Sequence, residues 1–211
     1  MSEHVDIADE SIGEYASLIL KHIELVLHDG VQLYLDEVPL NYSIAEMLTQ
    51  NGWASTDVKT RYPNSDRRAD IVTHHPEHQL KIINETKYLI CDFPGAKRGN
   101  KKWTVVGGVV AQHLGIKSGK DINAVDDVQK LNMAVGTHVS FLLICFESVA
   151  RCGDESIRQF VNLTGLNNKP WNRFDAQWPW IHSLSIDHLV KCHLWCRPIS
   201  QDDNQESRSE N

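Results

Sequence analysis

The sequence predicts an α/β domain, or an α+β relative with the same layering, in which helices flank a mixed central sheet. Three observations lead there. Periodic stretches follow one another in the order helix, helix, three strands, helix, strand, helix. Val139 to Phe146 is an uninterrupted apolar run, the mark of a strand covered on both faces and therefore central. A chain of 211 residues with 41% apolar and 23% charged content has the makings of one ordinary domain with a full core.

Each element has its own signal. Ile12, Tyr15, Leu18, Ile19, Ile23, Val26 and Leu27 recur at helical spacing, so residues 11 to 29 are expected to form an amphipathic helix that Gly30 stops. A second helix is expected from Glu37 to Gln50: Pro39 is tolerated in the first turn, Leu40, Ile44, Met47 and Leu48 share one side, and Asn51 with Gly52 ends it. Thr56 to Tyr62, Ala69 to His74 and Leu80 to Leu89 read as three strands of a meander, parted by Pro63, Asn64 and Ser65 in one gap and by Pro76 in the next. The glycine- and lysine-rich residues 91 to 120 read as a mobile loop with one short helical piece near Val109 to Leu114. Asp126 is expected to cap a helix through Ala134, with Val128, Leu131 and Val135 on its apolar side and Gly136 closing it. A helix at about Glu155 to Leu163 is followed by a Trp-rich loop (Trp171, Trp178, Trp180) and a last strand around His193 to Pro198. Residues 201 to 211 lack apolar side chains and are expected to be a disordered polar tail, leaving residues 1 to 200 as a single domain.

Composition narrows the function. No apolar run approaches the ~20 residues that cross a bilayer, so a membrane span is not expected. The acidic N-terminus lacks the basic and apolar regions of a secretory signal, and a cytoplasmic location follows as an expectation. The five cysteines are an odd, scattered set, better read as free thiols than as a disulfide framework. Cys192, His193 and Cys196 lie close together, but a structural zinc site usually takes four ligands and the sequence offers no second spaced pair. The net charge of −7 hides an asymmetry: residues 57 to 120 carry 12 Lys and Arg against 6 Asp and Glu, a net-basic middle in an acidic chain. Such a segment suits a confined phosphate-binding face, although a solvated mixed surface would look the same.

Within that segment one constellation carries chemistry. Side chains alternate along a strand, so Glu85 and Lys87 share a face while Asn84, Thr86 and Tyr88 take the other. A hairpin between the strands bearing Asp70 and Glu85 brings the two acids side by side, each at the end away from the turn at Pro76. Two adjacent carboxylates would hold a hard divalent cation such as magnesium, and a lysine beside them would orient or deprotonate an attacking water. An acid two residues before a lysine also occurs at Asp57 and Lys59, but only Glu85 follows the apolar lead-in of Leu80, Ile82 and Ile83 and an upstream strand with an aspartate. The plain alternative is a set of surface salt bridges among Asp70, Glu85, Arg67, Arg68 and Lys87.

The segment Arg67, Arg68, Ala69, Asp70, Ile71, Val72, followed by Ile82, Ile83, Asn84, Glu85, Thr86, Lys87, Tyr88, resembles the PD-(D/E)xK, restriction-endonuclease-like nuclease superfamily. The resemblance runs from about Glu37 to Phe146 and implies a restriction-endonuclease-like core. It implies Asp70 and Glu85 as metal ligands, Lys87 as the catalytic lysine, and the Thr86 carbonyl as a further group facing the metal. An acid on the helix before the meander is also implied, Glu37 first and Glu46 as the alternative. Ala69 stands where the motif often has proline. The resemblance implies Mg2+ as cofactor, with Mn2+ as a substitute, and DNA as substrate for an endodeoxyribonuclease of restriction or defence type. The alternative is a catalytically silent nuclease-fold subunit that binds nucleic acid or a protein partner, while a two-carboxylate glycosidase leaves Lys87 unexplained. Whether the chain pairs as a homodimer stays open.

Smaller expectations surround this core. Lys97, Arg98, Lys101 and Lys102, flanked by Gly95 and Gly99, are candidates to grip the nucleic-acid backbone. Gln129 and Lys130 either reach the active site or form a solvated helix face, the second being favoured. His74 and His75, near a turn, are expected to be exposed, and the tryptophans between 171 and 180 are expected to pack under a loop in preference to stacking on bases.

Overall fold

Helix α1 (Glu3–Asp29) buries Ile12, Tyr15, Ile19 and Ile23, and helix α2 (Glu37–Gln50) buries Leu40, Ile44, Met47 and Leu48. Spacings of three and four put each set on one face of its helix. In this computed structural model residues 3–29, 37–62, 67–75, 80–90, 97–98, 101–102, 124–134, 137–148, 154–179 and 188–198 are described. Helix α1 starts at Glu3, well upstream of the expected residue 11. Helix α2 ends as its sequence demands: Gly52 adopts φ +86°, the Gly52 N–H donates to Thr49 O (3.2 Å) and the Trp53 N–H to Leu48 O (3.0 Å), which satisfies carbonyls that a helix end otherwise leaves open.

The strands are β1 (Ala54–Val58), β2 (Ile71–His75), β3 (Leu80–Ile90), β4 (Lys97–Arg98), β5 (Lys101–Lys102), β6 (His138–Ser148), β7 (Asn172–Pro179) and β8 (His188–Arg197). Six of them form one mixed sheet in the order β1, β2, β3, β6, β8, β7. Strands β1 to β3 are an antiparallel meander, β6 runs parallel to β3, and β8 and β7 return antiparallel. A parallel neighbour needs a crossover, and helix α3 (Ala124–Asn132) lies in it. The apolar run of β6 therefore sits between β3 and β8.

Alternation along β6 decides the layers. Leu142 and Ile144 pack with α1 and α2, whereas Val139, Phe141, Leu143 and Cys145 pack with α3 and helix α4 (Asp154–Thr164). The result is a sheet with helices on both faces, and each large apolar side chain so buried contributes roughly 1.5–3 kcal/mol. No helix among the described residues is long and apolar enough to cross a membrane.

Some expectations need correction. The stretch from Trp171 to Trp178 is not a loop: Asn172–Pro179 is the edge strand β7, paired along its length with β8, and Trp178 is buried. Its alternation of Phe174, Ala176 and Trp178 is a strand pattern that the conspicuous tryptophans obscured, and Pro179 fits at an edge. Trp171 is half-buried, with the Arg197 guanidinium 5.4 Å from its ring centroid. Strand β1 ends at Val58, before the expected Tyr62, and β8 starts earlier than expected, at His188. Helix α3 starts at Ala124, so Asp126 lies in its first turn. Within the expected loop, β4 and β5 pair as a short hairpin, while the helical piece at Val109 to Leu114, Trp180 and the tail from residue 201 lie outside the described residues.

Candidate active site

The β2–β3 register sets Ile71 opposite Asn84 and Val72 opposite Ile83. Asp70 lies just before β2 and Glu85 one residue beyond Asn84 in β3, close enough that the Asp70 charge acts on the Glu85 carboxyl, and alternation sends Glu85 to the same face as Ile83. Alternation puts Lys87 there too, on the side covered by α3 and α4. Asp70 and Glu85 are each only 3% exposed, so the alternative of surface salt bridges does not describe them.

Each acid is anchored by named donors. The Thr86 N–H donates to Asp70 Oδ2 (2.8 Å), and Lys59 Nζ donates to Asp70 Oδ1. Main-chain bonds fix the same corner: the Asp70 N–H donates to Asn84 O (3.1 Å) and the Lys59 N–H to Asp70 O (3.2 Å). The Tyr62 hydroxyl donates to Glu85 Oε1 (2.6 Å). From the other side of the sheet a buried polar chain braces β3, in which Tyr15 meets Ser140 (3.0 Å), Ser140 donates to Asn84 (2.8 Å) and Asn84 donates to Thr86 Oγ1 (2.9 Å).

Helix α3 completes the cluster. Its buried stripe is Ala124, Asp127, Val128 and Leu131, so an acid occupies a position that packing would give to an apolar residue. Asp127 takes Lys130 Nζ on Oδ1 (2.6 Å) and Lys87 Nζ on Oδ2 (3.2 Å), and Lys130 Nζ also lies 3.8 Å from Glu85 Oε1. Three carboxylates and three ammonium groups therefore meet on one face of the sheet.

The electrostatics follow from burial and crowding. Burial pushes the Glu85 carboxyl well above the usual glutamate range, and the neighbouring charges of Asp70 and Asp127 push it further, against the opposing pull of Lys130 and the Tyr62 hydrogen bond. Burial, then the Glu85 charge, drives the Tyr62 phenol up, so it stays a proton donor to Glu85. Burial works against the Lys130 ammonium, but Glu85, Asp127 and Asp70 outweigh it and its pKa ends above the ordinary lysine value.

Among the described residues no group of three or more His, Cys, Asp or Glu side chains is arranged to hold a metal ion. Magnesium does not need one, because it is commonly held by one or two carboxylates with waters and substrate oxygens filling the remaining positions. The donor set here suits it: two buried, neighbouring carboxylates, one of them destabilised as an anion by burial and like charge, and the Thr86 carbonyl, which leaves the strand on the same side as the N–H that meets Asp70.

Not every expected residue joins the cluster. Glu46 is exposed on α2, in the layer on the opposite face of the sheet, where it accepts from Gln50 Nε2 (3.4 Å). The side chain of Glu37 lies outside the described residues, as do those of Lys97, Arg98, Lys101 and Lys102. Among the described side chains, the helical acid at this cluster comes from α3 and not from α2. Lys130 is part of the site and Gln129 is exposed. His74 is exposed as expected, but His75 is half-buried, edge-on to Trp53 with ring centroids 4.9 Å apart. Cys192 and Cys196 pack on the α1 and α2 face, whereas His193 turns the other way, its Nδ1 2.8 Å from Asp175 Oδ1, so alternation keeps these three from sharing a zinc ion. Lys59, Tyr62 and Asp127 were not foreseen. Asp127 had a readable signal, its place in the Ala124, Val128, Leu131 stripe. No protein-family model matches the chain, and neither does a curated protein or a solved structure.

Proposed function

We propose that the chain is a metal-dependent nuclease of the PD-(D/E)xK, restriction-endonuclease-like type, hydrolysing phosphodiester bonds in DNA with Asp70, Glu85 and Lys87 at its active site. The observation that carries this reading is the proximity of two buried carboxylates, Asp70 just before β2 and Glu85 in β3, with Lys87 on the same face. The order α2, β1, β2, β3, α3, β6 supports it, since it follows the superfamily's common core of helix, three-strand meander, helix and strand.

In this reading Asp70 and Glu85 hold Mg2+, or Mn2+ in its place, which when bound supplies Lewis-acid stabilisation of the charge that develops on the phosphate. Lys87, the ammonium half of an ion pair with Asp127, acts as a hydrogen-bond donor and positive charge beside the reacting phosphate and orients the attacking water. Asp127 sets the reach of that ammonium. Tyr62 keeps Glu85 oriented by donating to one of its oxygens and leaving the other available. Lys130 bridges Asp127 and Glu85 and limits the repulsion between them.

A second reading rests on the charge balance. Three lysines already neutralise three acids here, as they would in a purely structural network of a nuclease-fold subunit that binds nucleic acid or a protein partner without cutting. Incubating the purified protein with supercoiled plasmid, linear duplex and single strands, with Mg2+ or with chelator, separates the two. Metal-dependent cleavage of any substrate supports the nuclease, and intact substrate in every lane overturns it.

A further inference from the structure

The three ammonium groups differ in exposure. The side chains of Lys87 and Lys130 are 16% and 17% exposed and both reach Asp127, whereas that of Lys59 is 37% exposed and reaches Asp70. Asp70 Oδ2 is held by a main-chain N–H that cannot withdraw, while Oδ1 is held by this flexible side chain. Lys59 also sits at φ +64°, the left-handed region, which is strained for a residue with a Cβ. Backbone strain of that kind persists where the surroundings over-determine it, and here it aims a long cationic stem at Asp70.

We propose that Lys59 is an exchangeable counter-ion of Asp70: it gives up Oδ1 when a divalent cation arrives at Asp70 and Glu85, and its released ammonium then takes a non-bridging oxygen of the substrate phosphodiester. The inference rests on the reading that these carboxylates bind a divalent cation. Oδ1 is the Asp70 oxygen that the main chain leaves for a metal, and an ammonium and a divalent cation cannot share it because like charges at contact distance repel. A lysine stem rotates at little cost, and an ammonium set free beside a phosphate gains a charge-assisted hydrogen bond. Metal binding and substrate binding are thereby coupled through one side chain, with no covalent step.

The test compares wild type with Lys59→Met and with Lys59→Gly, the second of which removes the ammonium while relieving the left-handed strain. Titration with Mn2+, followed by the electron paramagnetic resonance of the free ion, is expected to show roughly two- to fivefold tighter binding in both variants, the worth of one competing ion pair removed. Binding of an oligonucleotide duplex is then measured over a range of salt, once with Ca2+ and once with chelator. With Ca2+ the variants lose about 0.9 from the slope of log affinity against log salt, the share of one neutralised phosphate, and with chelator their slope equals that of wild type. Equal or weaker Mn2+ binding in the variants, or the same slope difference with and without cation, overturns the exchange alone. A wild-type protein that binds no Mn2+ overturns both the exchange and the nuclease reading.

Discussion

Lys87 Nζ lies 3.2 Å from Asp127 Oδ2, so a lysine on the sheet is held in place by an acid from helix α3. This ion pair joins the two elements that flank the carboxylate pair. It makes Asp127 a positioning residue for Lys87. Asp127→Asn keeps the size and removes the charge, and kcat is expected to fall roughly 10- to 100-fold with little change in KM. The same variant loses charge-assisted bonds to two lysines and is expected to be about 1–3 kcal/mol less stable in urea titrations. An unchanged kcat in a protein destabilised by that amount would leave Asp127 with a structural role only.

Glu85 is buried among like charges, and such crowding opposes folding when no cation is bound. Glu85→Gln keeps the shape and removes one charge of the three. In chelator at neutral pH the variant is expected to melt above wild type. Added Mg2+ should raise the wild-type melting point, because a ligand that binds only the folded state stabilises it, and should leave the variant where it was. Equal melting points in chelator would show that the carboxylates do not strain the fold.

His138 gives the stability a pH dependence of its own. Burial lowers its pKa from 6.5 to about 4. Below pH 6.5 the unfolded chain takes up a proton that the folded chain refuses, so stability is undiminished by this group above 6.5, falls as pH drops toward about 4, and changes no further below that. Urea midpoints of wild type and His138→Gln across this range check it. The variant should show a shallower loss, and parallel curves would mean that His138 titrates normally.

The hairpin of β4 and β5 pairs Lys97 with Lys102 and Arg98 with Lys101. If it clamps the substrate backbone, replacing all four by alanine lowers affinity alike for every DNA sequence, since groups that grip phosphate do not read bases. The salt slope should drop by about 0.9 for each phosphate that the variant no longer neutralises. Unchanged affinity and slope would remove this hairpin from the interface.

What the sequence disclosed depended on the range of the interaction. Glu85 and Lys87 were legible as a pair because strand alternation is local, and Asp70 joined them because one hairpin is the shortest long-range step a chain takes. Helix α2 and its Gly52 ending were legible for the same reason, every signal lying in the helix itself or in the two residues after it. The apolar stripe marks Asp127 as buried but not its partners, because Lys87 and Glu85 lie some forty residues upstream and meet it only once the parallel β3–β6 crossover lays α3 over that face. The neighbouring Asp126 has the more familiar signature, that of a cap. Lys59 looked like the lysine of a decoy pair with Asp57, and nothing local announces a left-handed backbone at a lysine. Strand β7 was obscured because an edge strand has mostly exposed side chains, so its apolar set is sparse.

The metal site is tested most directly by one measurement: cleavage of supercoiled plasmid by wild type and by Glu85→Ala, each shown to be folded by circular dichroism, with Mg2+ and with chelator. The expected result is cutting by wild type with Mg2+ alone and none by the variant under either condition. Full activity in Glu85→Ala, or wild-type cutting that persists in chelator, would contradict a metal-dependent site built on Asp70, Glu85 and Lys87.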